Sequence, residues 1–284
     1  MSFTEHHQRL RDGLRLYYRD YGEPRSRQIP VLCLTGLTRN SRDYEDLAPY
    51  LAAQGRRVIC SDYRGYGRSD RDPEWMHYQI EYDAADAIDL LDGLQIPRVH
   101  IVGTSRGGLI AMMLAESHPD HIAGAVINDV GPDVIHGGAS KIAKFFDQPH
   151  DFPDWASATV AYEKWSGPAT PDLTPEGWAK RARQTFVELP DGRVAYDFDP
   201  ALGKAYRARD NTPIGWEKFR AFAGKPVLVI RGQFSGLLTR TSFERMAEEL
   251  PGLQRVVVPN RGHVPLLDEP AALGAIDHFF ATVP

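Results

Sequence analysis

Residues 99–111 read VHIVGTSRGGLIA. An apolar run of strand character ends in Gly103-Thr104-Ser105-Arg106-Gly107, and a helical pattern opens at once with Gly108 and Leu109. A chain that passes from strand to helix in so few residues holds the middle residue at the tip of a tight turn, clear of the sheet. The two flanking glycines remove the Cβ atoms that would otherwise collide with neighbouring backbone. Gly-x-Ser-x-Gly alone arises by chance in roughly one chain of this length in ten, so the weight rests on its strand-turn-helix setting. The competing reading of Ser105 is an N-cap serine followed by glycines.

Outward from this stretch the same alternation continues. Apolar runs of strand length occur at Val31–Leu34, Val58–Cys60, Ile122–Ile127, Val227–Ile230 and Val256–Val258. Helical patterns lie between most of them, at Tyr44–Ala53, Tyr82–Leu94, Leu109–Ser117 and Phe243–Leu250. Strands alternating with helices predict a parallel sheet covered on both faces. Two earlier segments, Gln8–Arg11 and Leu14–Tyr21 around Asp12-Gly13, read as a hairpin. The alternation stops after Asn128-Asp129-Val130-Gly131-Pro132 and resumes at Lys225. The interval, with amphipathic patterns at Ala139–Phe146, Trp155–Trp165 and Glu176–Phe186, reads as an inserted helical cap. The domain organisation predicted is therefore core over 1–131, cap over 132–216 and core over 217–284. Trp155, Trp165, Trp178 and Trp216 are expected to pack that cap.

Composition excludes several classes of function. The 284 residues are 42% hydrophobic and 25% charged, those of an ordinary globular chain. A net charge of -5 with scattered basic residues offers no footprint for nucleic acid. Cys33 and Cys60 lie in apolar strand-like runs, where buried thiols are expected and no metal-ligand spacing is present. The N-terminal MSFTEHHQRLRDG lacks the apolar core of a signal peptide, and no run approaches the ~18 apolar residues of a membrane span. A cytoplasmic location, with no membrane partner, is the expectation.

A serine hydroxyl needs a base to become a nucleophile. Of ten histidines, His263 is best placed, in VVVPNRGHVPLLDEP after the last strand-like run, between Gly262 and Pro265 where a loop must hold it. His6, His7, His118 and His121 read as solvated, and His100 as a core residue. The chain now resembles the α/β-hydrolase fold family over nearly its whole length. The matching pieces are LCLTGLTRNSRDYEDLAPYL, VICSDYRGYGRSD, VGTSRGG, INDVGP, PVLVIRG and PNRGHVPLLDEP. That resemblance implies an eight-stranded, mostly parallel sheet with a helical cap between strands six and seven. It also implies Ser105 as nucleophile and His263 as base. An oxyanion hole is implied from the backbone N–H groups of Leu37 and Arg106. Where Thr35 stands the family often has histidine, but the donor is main chain, so the departure leaves the hole intact. Asp62, Arg64 and Asp70 read as a structural polar network.

The family's third triad member usually follows strand seven, in a stretch written like Gly232-Gln233-Phe234-Ser235-Gly236-Leu237-Leu238, with aspartate where Gly236 stands. Glycine cannot orient a histidine, so another carboxylate serves or the triad is incomplete. Asp129, at the end of strand six, is the leading substitute; Asp268 and Glu244 are weaker candidates that read as helix-terminal charges. Two functions follow. One is a serine hydrolase of a small ester or related acyl compound, needing no cofactor or metal. The other is a receptor-like or impaired hydrolase-fold protein, motivated by Gly236. Ester cleavage is favoured over haloalkane or epoxide opening, whose family members carry a carboxylate at the elbow.

Overall fold

A computed structural model describes residues 2–134, 145–146, 148, 150–208 and 212–283. The chain enters through an antiparallel hairpin, β1 (Phe3–Arg9) and β2 (Arg15–Tyr21). Its turn is closed by the Leu14 amide donating to Asp12 Oδ1 at 3.1 Å, with Gly13 at φ 94° where a side chain would be strained. Next come β3 (Val31–Leu34), α1 (Leu47–Ala53), β4 (Val58–Ser61), α2 (Ile80–Gly93), β5 (Val99–Thr104), α3 (Arg106–Ser117) and β6 (Ile122–Asn128).

An insertion follows: β7 (Asp151–Phe152), α4 (Trp155–Ser166), α5 (Pro175–Thr185), β8 (Phe186–Glu188), β9 (Val194–Tyr196) and α6 (Leu202–Ala208). The chain then completes its main layer with α7 (Trp216–Arg220), β10 (Val227–Gly232), α8 (Arg240–Glu249), β11 (Gln254–Val258) and α9 (Pro270–Thr282).

The main sheet has eight strands in the order β1-β2-β4-β3-β5-β6-β10-β11. From β4 to β11 every pairing is parallel; β2 joins β4, and β1 joins β2, antiparallel. This is the predicted fold class. Side chains alternate between two cores even though the inner strands β3, β4, β5 and β6 are buried throughout. Leu32 and Leu34 face the layer that holds α2 and α3, while Val31 and Cys33 face α1 and α9. Both cysteines are fully buried free thiols. Among the described residues no helix is long and apolar enough to cross a membrane.

The insertion differs from the all-helical reading. α4 and α5 occupy the two predicted helical stretches, each started by its own cap: Asp154 accepts from the Ser157 amide at 2.8 Å and Thr174 from the Gly177 amide at 3.2 Å. The third, Ala139–Phe146, lies outside the described residues except for its last two. A three-stranded antiparallel sheet, ordered β7-β9-β8, is also present. Its β8–β9 turn is Pro190-Asp191-Gly192, with Gly192 at φ 84°. Ala158, Ala182, Phe186 and Val194 form a small buried core beneath it, bordered by Trp155 and Tyr162. Trp178 is buried beside Tyr162, but Trp165 is 46% exposed. Trp216 corrects the sequence reading: it opens α7 and packs on Phe219 at the main core, not in the insertion.

Candidate active site

Ser105 stands between β5 and α3 with φ 51° and ψ -110°, a conformation that costs a non-glycine residue about 1–3 kcal/mol. The glycines around it explain why the turn can be this tight. A Cβ on Gly103 would lie 2.5 Å from the Gly107 carbonyl oxygen, and one on Gly107 would lie 2.0 Å from that of Leu34. Backbone bonds fix the turn: the Ser105 amide donates to the Asn128 carbonyl at 2.9 Å and the Gly107 amide to that of Thr35 at 3.0 Å. Ser105 makes no side-chain cap to α3, so the competing N-cap reading fails. Its Oγ instead lies 3.0 Å from His263 Nε2.

His263 sits on the loop between β11 and α9. Glu269 braces that loop by accepting from Arg261 Nε at 2.7 Å and from the Leu266 and Leu267 amides at 2.9 and 3.0 Å. Asn128 reaches it as well, donating from Nδ2 to the Pro265 carbonyl at 2.9 Å. From the insertion, the Ala169 carbonyl accepts the Gly262 amide at 2.8 Å.

On the far side of the ring, His263 Nδ1 is 2.8 Å from Asp129 Oδ2. A carboxylate oxygen only accepts, so Nδ1 carries the proton in this bond and Nε2 is left as an acceptor for Ser105. Asp129 follows β6 directly, is fully buried and has φ 60°. Its own amide donates to the Ile230 carbonyl at 2.8 Å, which ties it to β10. Oδ1 accepts the Gly232 amide at 2.9 Å, and Oδ2 accepts the Ser235 hydroxyl at 2.8 Å.

The other carboxylates considered lie elsewhere. Asp268 Oδ2 accepts from Arg181 at 2.7 Å and Glu244 Oε1 from Arg240 at 2.8 Å. Gly236 is exposed, is absent from the positive-φ glycines, and an added Cβ there would meet nothing within 4 Å.

Arg106 follows Ser105 directly, and Leu37 follows Gly36 in the loop after β3. Gly36 lies against the serine, a Cβ there standing 3.8 Å from Ser105 Cβ. Among the described residues neither the Leu37 nor the Arg106 amide meets a hydrogen-bond acceptor. The Arg106 side chain turns into the core, where its Nε donates to Asp83 Oδ2 at 2.8 Å. Burial pushes the Asp83 carboxyl up, and the guanidinium opposes that shift. Thr35 directs its hydroxyl to the Arg39 carbonyl at 3.4 Å, within its own loop.

The predicted polar network is three separate devices. Asp62 accepts the Ser41 and Arg68 amides at 2.6 and 2.9 Å, Arg64 bridges Asp12, Asp72 and Asp86, and Asp70 pairs with Arg15. None of the three touches Ser105 or His263. Two residues in contact with the site were given no role from the sequence, Asn128 and Ser235, although Asn128 stood in the INDVGP stretch and Ser235 beside the flagged Gly236. Among the described residues no group of three His, Cys, Asp or Glu could hold a metal ion.

Residues 29–270 match the model of the alpha/beta hydrolase fold. The chain belongs to the α/β-hydrolase fold family. An α/β-hydrolase from Novosphingobium aromaticivorans of solved structure is 38% identical, with a TM-score of 0.92 over 99% of both chains. The 3-hydroxybutyrate-oligomer hydrolase of Cupriavidus necator is 30% identical, across 94% of this chain and 92% of its own. Serine hydrolase BPHL of Mus musculus is 24% identical across 89% of this chain and 78% of its own. All three of these relatives are hydrolases by name.

Proposed function

We propose that this α/β-hydrolase cleaves small carboxylic esters through an acyl-enzyme on Ser105. The reading is carried by one observation, the unbroken line from Ser105 Oγ through His263 to Asp129 Oδ2 with steps of 3.0 and 2.8 Å. In the first half-reaction Ser105 Oγ attacks the ester carbonyl as its proton passes to His263 Nε2. Asp129 stabilises the imidazolium so formed and keeps the ring in the productive tautomer. The amides of Leu37 and Arg106 take the oxyanion. Collapse expels the alcohol, which receives the proton from His263 and leaves the acyl group on Ser105. Water then gives its proton to His263 and attacks the acyl carbonyl, and the acid departs as Ser105 regains its proton.

Asp129 fills the role that Gly236 cannot, and this weighs against an impaired, receptor-like protein. The substrate class follows from a relative. The Cupriavidus necator protein is named for hydrolysis of 3-hydroxybutyrate oligomers, which makes short hydroxyacyl oligoesters the first compounds to assay. A phosphonate probe should label the wild type once, as read by intact mass, and Ser105→Ala should neither label nor release 3-hydroxybutyrate. Labelling or turnover that survives the substitution would refute the acyl-enzyme.

A further inference from the structure

Asp129 is held from one side by a loop that family resemblance would have made the source of the acid. Ser235 belongs to that loop and is 8% exposed. A serine hydroxyl has one proton and two lone pairs. Here the Leu237 and Leu238 amides both donate to Ser235 Oγ, at 3.3 and 3.1 Å, and occupy its acceptor side. The single proton is therefore committed to Asp129 Oδ2, at 2.8 Å. That same oxygen receives Nδ1–H of His263 at 2.8 Å. The hydroxyl and the imidazole share one acceptor atom.

We infer that Ser235 is a positioning residue for the acid: its pre-oriented hydroxyl fixes the rotation of the Asp129 carboxylate and moderates how strongly Oδ2 attracts the His263 proton. Gly232 N–H fixes the other oxygen, so the carboxylate can turn neither way. The loop after β10 thus takes part in the site through a hydroxyl on the acid rather than through a carboxylate of its own. The Arg231 guanidinium donates from Nη2 to the Ser235 carbonyl at 3.3 Å, a hold on the loop that does not involve the hydroxyl. Removing the hydroxyl takes away its bond to Asp129 together with the acceptor of the Leu237 and Leu238 amides, so the resonance of the His263 Nδ1–H bond, which a loosened loop alone would not move, separates the two effects.

This inference rests on the reading of Asp129 as the acid, and the test separates the two. Ser235→Ala should lower kcat about tenfold, the scale expected for one hydrogen bond to a charged group, with KM little changed. The downfield proton resonance of the His263 Nδ1–H bond should move as Oδ2 becomes the stronger acceptor. Ser235→Thr, which keeps the hydroxyl, should recover most of the rate and return the resonance. Should Ser235→Ala fail to fold, Ser235→Cys keeps the size with a weaker donor and is expected to show the same movement of the resonance. If Asp129→Asn abolishes most activity while Ser235→Ala moves neither rate nor resonance, the positioning role is wrong and the acid stands. If Asp129→Asn is itself silent, both are wrong.

Discussion

A buried carboxylate that meets a peptide N–H, a hydroxyl and an imidazole has its charge distributed over three donors, and the amide isostere cannot serve all three. In Asp129→Asn the new NH2 group must face either Gly232 N–H or the shared site of Ser235 and His263, where donor meets donor. If it faces His263, the ring takes the wrong tautomer. We expect kcat to fall by about 10² to 10⁴, measured on a short-chain ester. At position 236 the space is open and φ lies outside the left-handed region, so Gly236→Asp should be tolerated and should partly rescue Asp129→Asn. A Gly236→Ala control distinguishes a carboxylate effect from a backbone effect. No rescue in a folded double variant would show that the loop does not bring residue 236 to His263.

The elbow is the element on which the site depends, and its tolerance is set by the glycines. Gly107→Ala places a methyl 2.0 Å from the Leu34 carbonyl oxygen, a backbone atom of a central strand that cannot step aside. Overpacking of this kind costs about 1–3 kcal/mol or more; urea unfolding should show the midpoint fall, and the variant should be inactive where it still folds. An unchanged midpoint would mean that the turn is looser than its geometry. The elbow was legible in the sequence because its glycines are obligatory and sit between a strand and a helix. His263 was legible because a Gly-x-x-Pro loop after the last strand has few structural reasons to hold a histidine. Asp129 was legible only as one alternative, since its role depends on which strand end lies beside the histidine loop. That is settled by sheet order, a tertiary property. β7, β8 and β9 were missed for a simpler reason: at two, three and three residues they are too short to display a period, although Pro190-Asp191-Gly192 marked the turn.

At the scale of the whole molecule, the insertion is fastened to the main layer by charges on either side of Ser105. Arg39, two residues after Leu37, is paired with Asp43 and reaches the insertion through Tyr162 Oη, at 3.2 Å, and the Thr185 hydroxyl. Arg42 donates to the Gln184 and Phe186 carbonyls at 3.1 and 3.2 Å, and Arg261 pairs with Asp172. Replacing Arg39 by Met keeps much of the bulk but strands Asp43, which is largely enclosed. Breaking a partly buried, hydrogen-bonded ion pair should cost about 1–3 kcal/mol. Because the change lies at the seam rather than at the reacting atoms, KM should rise more than kcat falls, as read from saturation curves on a hydroxyacyl dimer. Equal losses in both parameters would place Arg39 in the chemistry instead.

The open space at Gly236 also bears on ancestry. The end of β6 presents a carboxylate to His263, and in the loop after β10 a Cβ at position 236 meets nothing within 4 Å. Where Gly236→Asp rescues Asp129→Asn, a lineage could acquire the second acid while the first still works, and lose the first only afterwards. On that order of events the histidine would at no stage lack a carboxylate beside it.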